Sequence, residues 1–412
     1  MEEYRTYTLE ELSIGKGNYG IAASAVPFDS SLHTYLRITD INDDGSLNKP
    51  GLMSVDEDDA EKYLLKPNDI VFARTGNSTG RSYFYDGSDG ELVYAGFLIK
   101  FSLDSTKVNP RILKYYTHSK PYYDWVQSFG TGSTRGNINA KTYGNMPIKL
   151  PPRDTQDNIV AILKSLDDKI ENNRRINENL EQQAQALFKS WFVDFEPFKD
   201  QPFVESELGM IPQGWRVQEA QQIFNINIGK TPPRKESEWF SESNEDNVWV
   251  SIADMGSCGA FISDSSEYLT DEAVRRFNVQ MVEKDSILLS FKLTVGRVAI
   301  ADTRLTTNEA IARFILPKKF YSEFLYLYLK QYKYGNLGST SSIATAVNSK
   351  TIKGMRLLIP NVELIESFSK NTRPLFEQIR TIQQESRRLA ELRDTLLPRL
   401  MSGELKVNDV DA

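Results

Sequence analysis

The sequence predicts an α+β protein in which two copies of one domain follow each other and are separated by two long helices that pair. Three observations support this fold class. Segments of the first half recur roughly 210 residues later, strand-like runs precede helix-like runs in each copy, and each copy runs into a long helical pattern. A repeat of this size is far longer than the roughly 20–50-residue unit of solenoids and propellers, so it indicates duplicated domains.

The duplication is carried by short segments that keep their order in both copies. They are Tyr35–Ile41 with Trp249–Met255, Asp69–Phe72 with Asp285–Leu288, Gly80–Arg81 with Gly296–Arg297, Gly132–Thr134 with Gly338–Thr340, and Lys141–Pro151 with Lys350–Pro360. The chain of 412 residues is long enough for each copy to bury a core of its own.

Each copy begins with short β-rich runs that turn residues separate. Examples are Ile70–Ala73 and Leu92–Tyr94 in the first copy, and Val248–Ile252 and Val298–Ile300 in the second. A short tyrosine-rich helix is expected around Pro110–Phe129 and Phe320–Tyr334. A loop rich in Gly, Ser, Thr and Asn follows, and then a strand that ends at Pro151 or Pro360.

Apolar residues at alternating spacings of four and three predict two long helices with a coiled-coil seam. The seam residues are Ile159, Leu163, Leu166, Ile170, Leu180 and Leu187 in the first helix and Leu375, Ile379, Ile382, Leu389 and Leu396 in the second. Polar Asn173, Asn177 and Ser386 lie midway, where a buried polar residue fixes register. Pro374 predicts that the second helix kinks or begins afresh. The alternative is that each helix packs only on its own domain.

Four aromatic residues end the first helical pattern: Phe188, Trp191, Phe192 and Phe195. They exceed what one face of a two-helix seam can bury, so they either cap the coiled coil or bind a partner protein. A linker is expected at about 199–214. The predicted segments are 1–152 for the first domain, 153–198 for the central helix, 199–360 for the second domain, 361–405 for the C-terminal helix and 406–412 for a tail.

The composition is that of a globular protein, with 40% hydrophobic and 25% charged residues and a mean hydropathy of −0.44. We expect no transmembrane helix and no signal peptide, because no long apolar run occurs and the N-terminus is charged. The single cysteine, Cys258, excludes an internal disulfide and fits a reducing, cytoplasmic location. With His33 and His118 as the other candidate ligands, a structural zinc cluster is excluded.

A net charge of −7 argues at first against a nucleic-acid partner. The charge is uneven, however, because acidic residues concentrate early in each copy while residues 111–150 and 320–356 are net basic. Phosphate binding depends on the local field rather than on the total charge. The alternative is that such variation arises by chance in an acidic protein.

No motif in the chain predicts an active site. Gly15–Gly20 matches G-x-G-x-x-G but lacks the following helix of a dinucleotide site, and Pro232–Pro233 forbid the helix that a phosphate loop at Gly229–Thr231 needs. The two histidines support no nucleophile–histidine arrangement. The pair Asp167–Asp168 is predicted to lie on the solvated flank of the first helix.

The chain resembles the specificity subunit of type I restriction-modification systems over residues 5–405. The resemblance rests on the duplicated unit, on the helix 157–187 with Lys169–Asn173, and on two signatures, Leu187–Phe192 and Leu389–Leu405. It implies a non-catalytic protein with two target-recognition domains, each reading one half of a bipartite double-stranded DNA site, and helices that pair antiparallel as a spacer.

The resemblance further implies two methyltransferase subunits and restriction/motor subunits as partners. No cofactor is expected in this chain, whereas S-adenosylmethionine, ATP and magnesium are expected on the partners. A seam of roughly 30 residues is about 45 Å long at about 1.5 Å per residue. That length can separate readers that must stand about 34–36 Å apart on one face of B-DNA.

Candidate DNA-binding residues follow from side-chain chemistry, since arginine pairs well with guanine, Asn and Gln with adenine, and Ser, Thr and Lys with phosphates. In the two domains they are Arg74, Arg81, Ser133, Thr134, Arg135, Asn137 and Lys141, and Lys292, Thr294, Arg297, Ser339, Thr340, Ser341 and Lys350. For Arg81 and Arg297 the alternative is a structural salt bridge repeated by the duplication. Two other functions stay open: a self-contained DNA-modifying enzyme and a coiled-coil scaffold without a DNA role.

Overall fold

The computed structural model describes residues 4–129, 136–337 and 347–406. The chain divides into two compact units, one of residues 1–170 with 388–412 and the other of residues 171–387. The boundaries between these two units fall inside both long helices, so each helix contributes to both units. The domain segments predicted from the sequence instead keep each long helix in one piece.

The first unit is built mainly from short strands. In chain order these are β1 (Arg5–Thr8), β2 (Asn18–Tyr19), β3 (His33–Leu36), β4 (Met53–Val55), β5 (Asp69–Ala73), β6 (Ser82–Tyr85), β7 (Leu92–Tyr94), β8 (Leu98–Ser102) and β9 (Pro147–Leu150). Its helices are α1 (Pro110–Tyr116), α2 (Lys120–Gln127), α3 (Ala140–Gly144) and the start of α4 (Arg153–Phe192). Short 3-10 helices cover Ile38–Asp40, Lys49–Gly51, Ala60–Tyr63 and Gly76–Ser78.

The second unit begins within α4 and is again rich in short strands. These are β10 (Phe203–Ser206), β11 (Gly209–Pro212), β12 (Arg216–Glu219), β13 (Asn225–Ile228), β14 (Phe240–Ser241), β15 (Asn247–Val250), β16 (Phe261–Ile262), β17 (Tyr268–Leu269), β18 (Ile287–Ser290), β19 (Val298–Ala301), β20 (Thr306–Thr307), β21 (Ile311–Ile315) and β22 (Arg356–Ile359). Its helices are α5 (Ala220–Ile223), α6 (Asp254–Ser257), α7 (Asp271–Arg276), α8 (Ser322–Gln331), α9 (Ser349–Lys353) and α10 (Val362–Ser402). The 3-10 helices are Glu196–Phe198, Ser237–Trp239, Lys319–Tyr321 and Tyr334–Asn336.

The sheets of the two units share one topology. The order β2-β8-β5-β6 corresponds to β13-β21-β18-β19, which β16 extends, and the pair β1-β9 corresponds to β12-β22. Besides this larger sheet, each unit has a further sheet that contains one parallel strand pair. The pair is β3 with β7 in the first unit and β15 with β20 in the second. This correspondence confirms the predicted duplication and the α+β class.

Strand register shows how closely the copies match. Val71 of β5 pairs with Lys100, and Leu288 of β18 pairs with Arg313, so a cation occupies the same place in both sheets. The Lys100 ammonium lies 3.3 Å from a carboxylate oxygen of Asp69. The Arg313 guanidinium donates to the carbonyls of Ile228 and Gln280, each at 2.8 Å. The position is preserved while its partner has changed from a carboxylate to backbone oxygens.

Gly20 and Gly229, which belong to the two sequence segments that only partly match nucleotide-binding motifs, have a structural role in the sheets. A Cβ on Gly20 would lie 2.2 Å from the carbonyl oxygen of Tyr94, and one on Gly229 would lie 2.0 Å from that of Asn308. The residue after each glycine donates its N–H to the crossing strand, Ile21 to Tyr94 and Lys230 to Thr307. Glycine is therefore required at both positions because another backbone passes too close for a side chain.

The long helices pack against each other in each unit. In the second unit, Asn173 Nδ2 donates to Glu385 Oε2 at 2.7 Å and to Ser386 Oγ at 3.2 Å. Further along α4, the Phe188 ring centroid lies 6.0 Å from that of Phe368. Residue numbers rise on α4 while they fall on α10, so the helices are antiparallel.

The predicted seam residues are all buried or half-buried, from Ile159 and Leu163 in the first unit to Leu180 and Ile379 in the second. Asn173 is 1% exposed and hydrogen-bonded across the pair, whereas the Asn177 side-chain oxygen finds no partner among the described residues. Asn173 is therefore the polar residue that holds the register.

Two predicted details of the helices differ in the structure. Pro374 lies exposed within a continuous α10, so the helix does not begin afresh there. Helix α4 ends at Phe192, six residues before the predicted end at 198. The chain leaves the helix because Phe195 adopts a left-handed backbone conformation, φ +55°, and a 3-10 turn containing Pro197 follows.

The aromatic segment at the end of α4 lies largely inside the second unit. Phe188 is 2% and Phe192 5% exposed, and the Phe192 ring centroid lies 4.8 Å from that of Phe368 and 5.0 Å from that of Phe324. These two rings join α4, α10 and α8, which removes them from a partner-binding surface. Trp191 and Phe195 remain half-buried, and partner contact stays a prediction for them.

Asp167 is half-buried, with its side chain 16% exposed, contrary to the solvated position predicted for it. Its carboxylate accepts from Lys114 at 2.7 Å, Tyr115 at 3.0 Å and Arg393 at 3.0 Å, so it joins α4 to α1 and α10 in the first unit. Burial acts to raise the pKa of Asp167, but the cations of Lys114 and Arg393 outweigh it and hold the pKa below the ordinary value. Asp168 stays exposed and pairs with Lys164 on the same helix.

We predict that Phe188→Ala lowers the free energy of unfolding by about 3–5 kcal/mol, because it leaves a cavity where three helices meet. Chemical denaturation followed by circular dichroism measures the loss. The control is Phe28→Ala, since Phe28 is 58% exposed and its truncation should change stability by less than about 0.5 kcal/mol. Equal effects of the two substitutions would contradict the assignment of Phe188 to the core.

We predict that Asp167→Asn destabilises the protein by about 1–3 kcal/mol at neutral pH, because two cations lose their half-buried charged acceptor. A lowered folded-state pKa contributes stability that is present above about pH 4 and disappears as the pH falls through the folded-state value. The difference between wild type and variant should therefore shrink below pH 4 in denaturation curves. Asp168→Asn is the control, with no comparable difference at either pH.

Candidate DNA interface

Arg74 stands at the centre of a polar group at one end of the first unit's larger sheet. It directly follows β5, and its guanidinium carbon lies 5.0 Å from the ring centroid of Tyr19, which is 42% exposed. Arg74 Nε lies 3.5 Å from Asn137 Oδ1. The contact with Asn137 is long, and no carboxylate of the described residues pairs with the guanidinium, so its remaining donors can serve a ligand.

Asn137 is held by the backbone rather than by its own side chain. Thr75 and Asn137 form an antiparallel bridge, and Ile138 donates its N–H to the Arg74 carbonyl at 3.0 Å. Thr79 Oγ1 donates to the Gly136 carbonyl at 3.0 Å. The segment after residue 135 is thereby fixed beside the hairpin β5–β6, with the Asn137 side chain exposed. Structure thus brings Arg74 and Asn137 together, as residues that can bind guanine and adenine.

Lys141 and Lys350 occupy equivalent places in the two units. Asn139 Oδ1 accepts from Thr142 N at 2.9 Å and caps α3, while Asn348 Oδ1 accepts from Thr351 N at 3.0 Å and caps α9. Each cap places an exposed lysine in the first turn of a short helix. Exposed ammonium groups of this kind suit phosphate contacts.

The guanidinium groups of Arg81 and Arg297 bind other groups of the protein and stabilise its fold. Arg81 Nε donates to Asp43 Oδ1 at 2.6 Å and its Nη1 to the Ile41 carbonyl at 3.0 Å. Arg297 Nη1 donates to the Ile252 carbonyl at 2.6 Å, and its guanidinium lies against Gly256. Both arginines brace the loop that follows β3 or β15. Both arginines therefore have a structural role, but among the described residues only Arg81 forms the salt bridge that the alternative expected at both positions. Their contact with DNA remains a prediction.

Two buried tyrosines fix the ends of the hairpin that carries Arg74. Tyr143 donates its hydroxyl to the Ala73 carbonyl at 2.9 Å, and Tyr122 donates to the Gly80 carbonyl at 2.5 Å. Burial raises the pKa of both phenols, so they stay neutral donors. The hairpin is therefore anchored at both ends of its turn, in which Asn77 is exposed.

In the second unit the corresponding hairpin, β18–β19, carries Lys292 and Thr294 at its tip, both exposed. Burial acts to raise the pKa of nearby Glu309, but the hydrogen bond from Thr231 and the charges of Lys292 and Arg234 hold that pKa low. The tip of this hairpin thus offers an ammonium and a hydroxyl, and the carboxylate of Glu309, from the loop between β20 and β21, lies within the electrostatic influence of Lys292.

Six of the predicted contact residues fall outside the described residues. They are Ser133, Thr134, Arg135, Ser339, Thr340 and Ser341. Their role in DNA binding stays a prediction from sequence.

Sequence reasoning missed three exposed residues beside these groups. Tyr19 contacts Arg74, and Phe97, 60% exposed, accepts the Arg74 N–H on its carbonyl at 3.1 Å. Leu293, between Lys292 and Thr294, is 99% exposed. A large apolar residue within a turn was the available signal, because turns are normally occupied by small or polar residues.

The described residues contain no group of three or more His, Cys, Asp or Glu side chains placed to hold a metal ion. Burial raises the pKa of Cys258 to about 11, so this thiol is protonated at neutral pH and a poor nucleophile. In the part of the chain that the structure covers, no helix is long and apolar enough to span a bilayer.

Comparison with known proteins gives the family. The model of the type I restriction modification DNA specificity domain matches residues 3–182 and 212–385, once for each copy. The chain is 28% identical over 409 residues to the HindI type I restriction enzyme specificity subunit of Haemophilus influenzae, covering 84% of this chain and 88% of that protein. It is 30% identical over 308 residues to the MjaIX specificity subunit of Methanocaldococcus jannaschii, covering 72% and 69%.

A solved structure shares the fold. The crystal structure of the type I restriction-modification S subunit from M. genitalium superposes with a TM-score of 0.52 at 16% identity, covering 97% of this chain and 96% of that one. The family match spans most of the chain and falls on both duplicated domains. The chain therefore belongs to the type I restriction-modification DNA specificity family, as the non-catalytic specificity subunit.

Proposed function

We propose that this subunit reads a bipartite double-stranded DNA site, with one domain on each half-site. The observation that carries the proposal is the presence of two domains of one topology on one chain, each with an anchored hairpin tip and a capped short helix that exposes a lysine. Two domains that share one architecture but differ in the residues at their hairpin tips are suited to two half-sites of different sequence.

The chemistry of each group supports a division of labour. Exposed Lys141 and Lys350 suit phosphates, which fix register and orientation without reading sequence. Arg74 and Asn137 suit bidentate contacts to guanine and adenine in the major groove. In this proposal, Arg81 and Arg297 act indirectly, because they shape the loops beside the hairpins rather than supply free donors.

We further propose that the helix pair acts as the spacer. Helices α4 and α10 contain 40 and 41 residues, which is about 60 Å of helix at about 1.5 Å per residue. That is enough to carry two readers about 34–36 Å apart along one face of B-DNA. A rigid pair suits this role because a flexible linker would leave the distance between half-sites unspecified.

The partners in this proposal are two methyltransferase subunits and restriction/motor subunits, which would bring S-adenosylmethionine, ATP and magnesium. Trp191 and Phe195 are the candidate contacts on this chain, because they are the two aromatic residues of the Phe188–Phe195 segment that stay half-exposed. Val193, 49% exposed, lies between them and extends the apolar surface.

The experiment is to express the chain with its methyltransferase subunit in a host that lacks adenine methylation and to map the modified bases. We predict one bipartite motif with two defined halves and an unspecified spacer of fixed length. Exchanging residues 199–360 for those of a relative should change one half only. A motif without two halves would contradict the proposal, and S-adenosylmethionine binding by the isolated chain would favour a self-contained enzyme.

We predict that Arg74→Ala weakens binding of the mapped duplex by about 1–3 kcal/mol, with little change in thermal stability. The physical reason is that its guanidinium has no carboxylate partner among the described residues, so its loss removes a ligand contact and leaves the fold intact. Fluorescence anisotropy with the methyltransferase subunit present measures binding, and a thermal melt measures stability.

Arg81→Ala is the matched control for Arg74→Ala, since it removes an arginine from the same hairpin. It should lower the melting temperature because the Ile41 carbonyl and Asp43 lose their donor. If Arg74→Ala left cognate binding unchanged, Arg74 would be removed from the recognition surface.

A further inference from the structure

Leu293 is an exposed apolar residue at the tip of the hairpin β18–β19. Its side chain is 99% exposed, and its backbone adopts the left-handed conformation, φ +59°. That conformation is strained for a residue with a branched aliphatic side chain. Among the described residues, neither packing nor backbone preference accounts for leucine at this position, which makes an external ligand the natural candidate.

The tip is held rigidly from beneath. Ser290 is fully buried, and its Oγ donates to the Thr294 carbonyl at 2.6 Å and accepts from the Arg297 N–H at 3.0 Å. The Ser290 carbonyl also accepts from the Gly296 N–H at 3.0 Å. The side chain of Ser290 thus binds two residues, Thr294 and Arg297, and its backbone carbonyl binds a third, Gly296. The outward direction of Leu293 is therefore built into the hairpin.

The first domain carries a different tip on the same hairpin. There the turn between β5 and β6 contains a 3-10 helix, Gly76–Ser78, with exposed polar Asn77 at its centre. Ala73 accepts from Gly80 in the way that Ser290 accepts from Gly296. On equivalent hairpins, the first domain thus exposes the amide of Asn77 and the second domain exposes the aliphatic side chain of Leu293.

We propose that Leu293 is the residue with which the second domain recognises the methyl group of a thymine in the major groove. Strands β18 and β19 are buried inside a five-stranded sheet, so only the exposed turn 292–294 would enter the major groove. The thymine C5-methyl is the apolar feature displayed in that groove. Lys292 and Thr294 flank the leucine and suit the phosphates on either side of the groove. This assignment rests on the proposed DNA-reading function and specifies how one half-site is read.

The test is a double-mutant cycle between protein and DNA. The chain with its methyltransferase subunit is titrated with duplexes in which each thymine of the mapped site is replaced in turn by deoxyuracil, which removes only the methyl group. The wild type should lose about four-fold in affinity at one position, the value of one buried methyl group. Leu293→Ala should bind the thymine duplex about ten-fold more weakly and show no response to deoxyuracil at that position.

Two further variants complete the design. Leu293→Asn tolerates the left-handed backbone, so it should keep or raise the melting temperature while losing the thymine response. Leu208→Ala removes another exposed leucine, at a turn of the same unit, and should leave both affinity and response unchanged.

Each outcome decides one question. Failure of the wild type to bind any mapped duplex overturns the proposed function itself. Specific binding that Leu293→Ala leaves unchanged overturns the assignment of Leu293 alone. Weaker binding by Leu293→Ala that keeps the full deoxyuracil response overturns the thymine contact, because the leucine then touches another part of the duplex.

Discussion

The antiparallel packing of α4 on α10 is the constraint on which the architecture depends, because each of these helices supplies part of the core of both units. In the second unit, buried Asn173 must keep its hydrogen bonds to Glu385 and Ser386. A slip of the helices by one turn would leave its amide unsatisfied in an apolar seam, which is costly. One polar residue thereby selects one register from several that the apolar residues alone would allow.

Charged side chains attach the same helix to the strands of the second unit. Arg380 of α10 lies 2.6 Å from a carboxylate oxygen of Asp285 and 3.0 Å from one of Asp302, and its guanidinium carbon lies 4.4 Å from the Phe261 ring centroid. Lys284 and Gln384 share the Asp302 carboxylate. Half-buried networks of this kind are directional, whereas apolar packing is not, so they fix how the helix lies on its own domain.

In the proposed function, DNA recognition depends on a distinction between cations that hold the fold and cations that remain available to a ligand. Arg81, Arg297 and Arg313 bind backbone carbonyls, and such contacts define loops and strands. Arg74 and the two capped lysines sit at tips and helix starts, where a duplex can reach them. Anchoring the hairpins by buried tyrosine and serine hydroxyls leaves the tip residues free to differ between domains, so specificity can change without a change of fold.

The sequence by itself determined the duplication, the α+β class, the two long helices and the apolar seam, because these are periodic, local properties of the chain. It also placed Lys141 and Lys350 in equivalent positions. Only the tertiary structure decided which arginines are free, since the partner of Arg81 lies 38 residues away in the chain. Likewise, the burial of Phe188, the ion pairs of Asp167 and the exposure of Leu293 depend on how distant segments are placed, which no local pattern encodes.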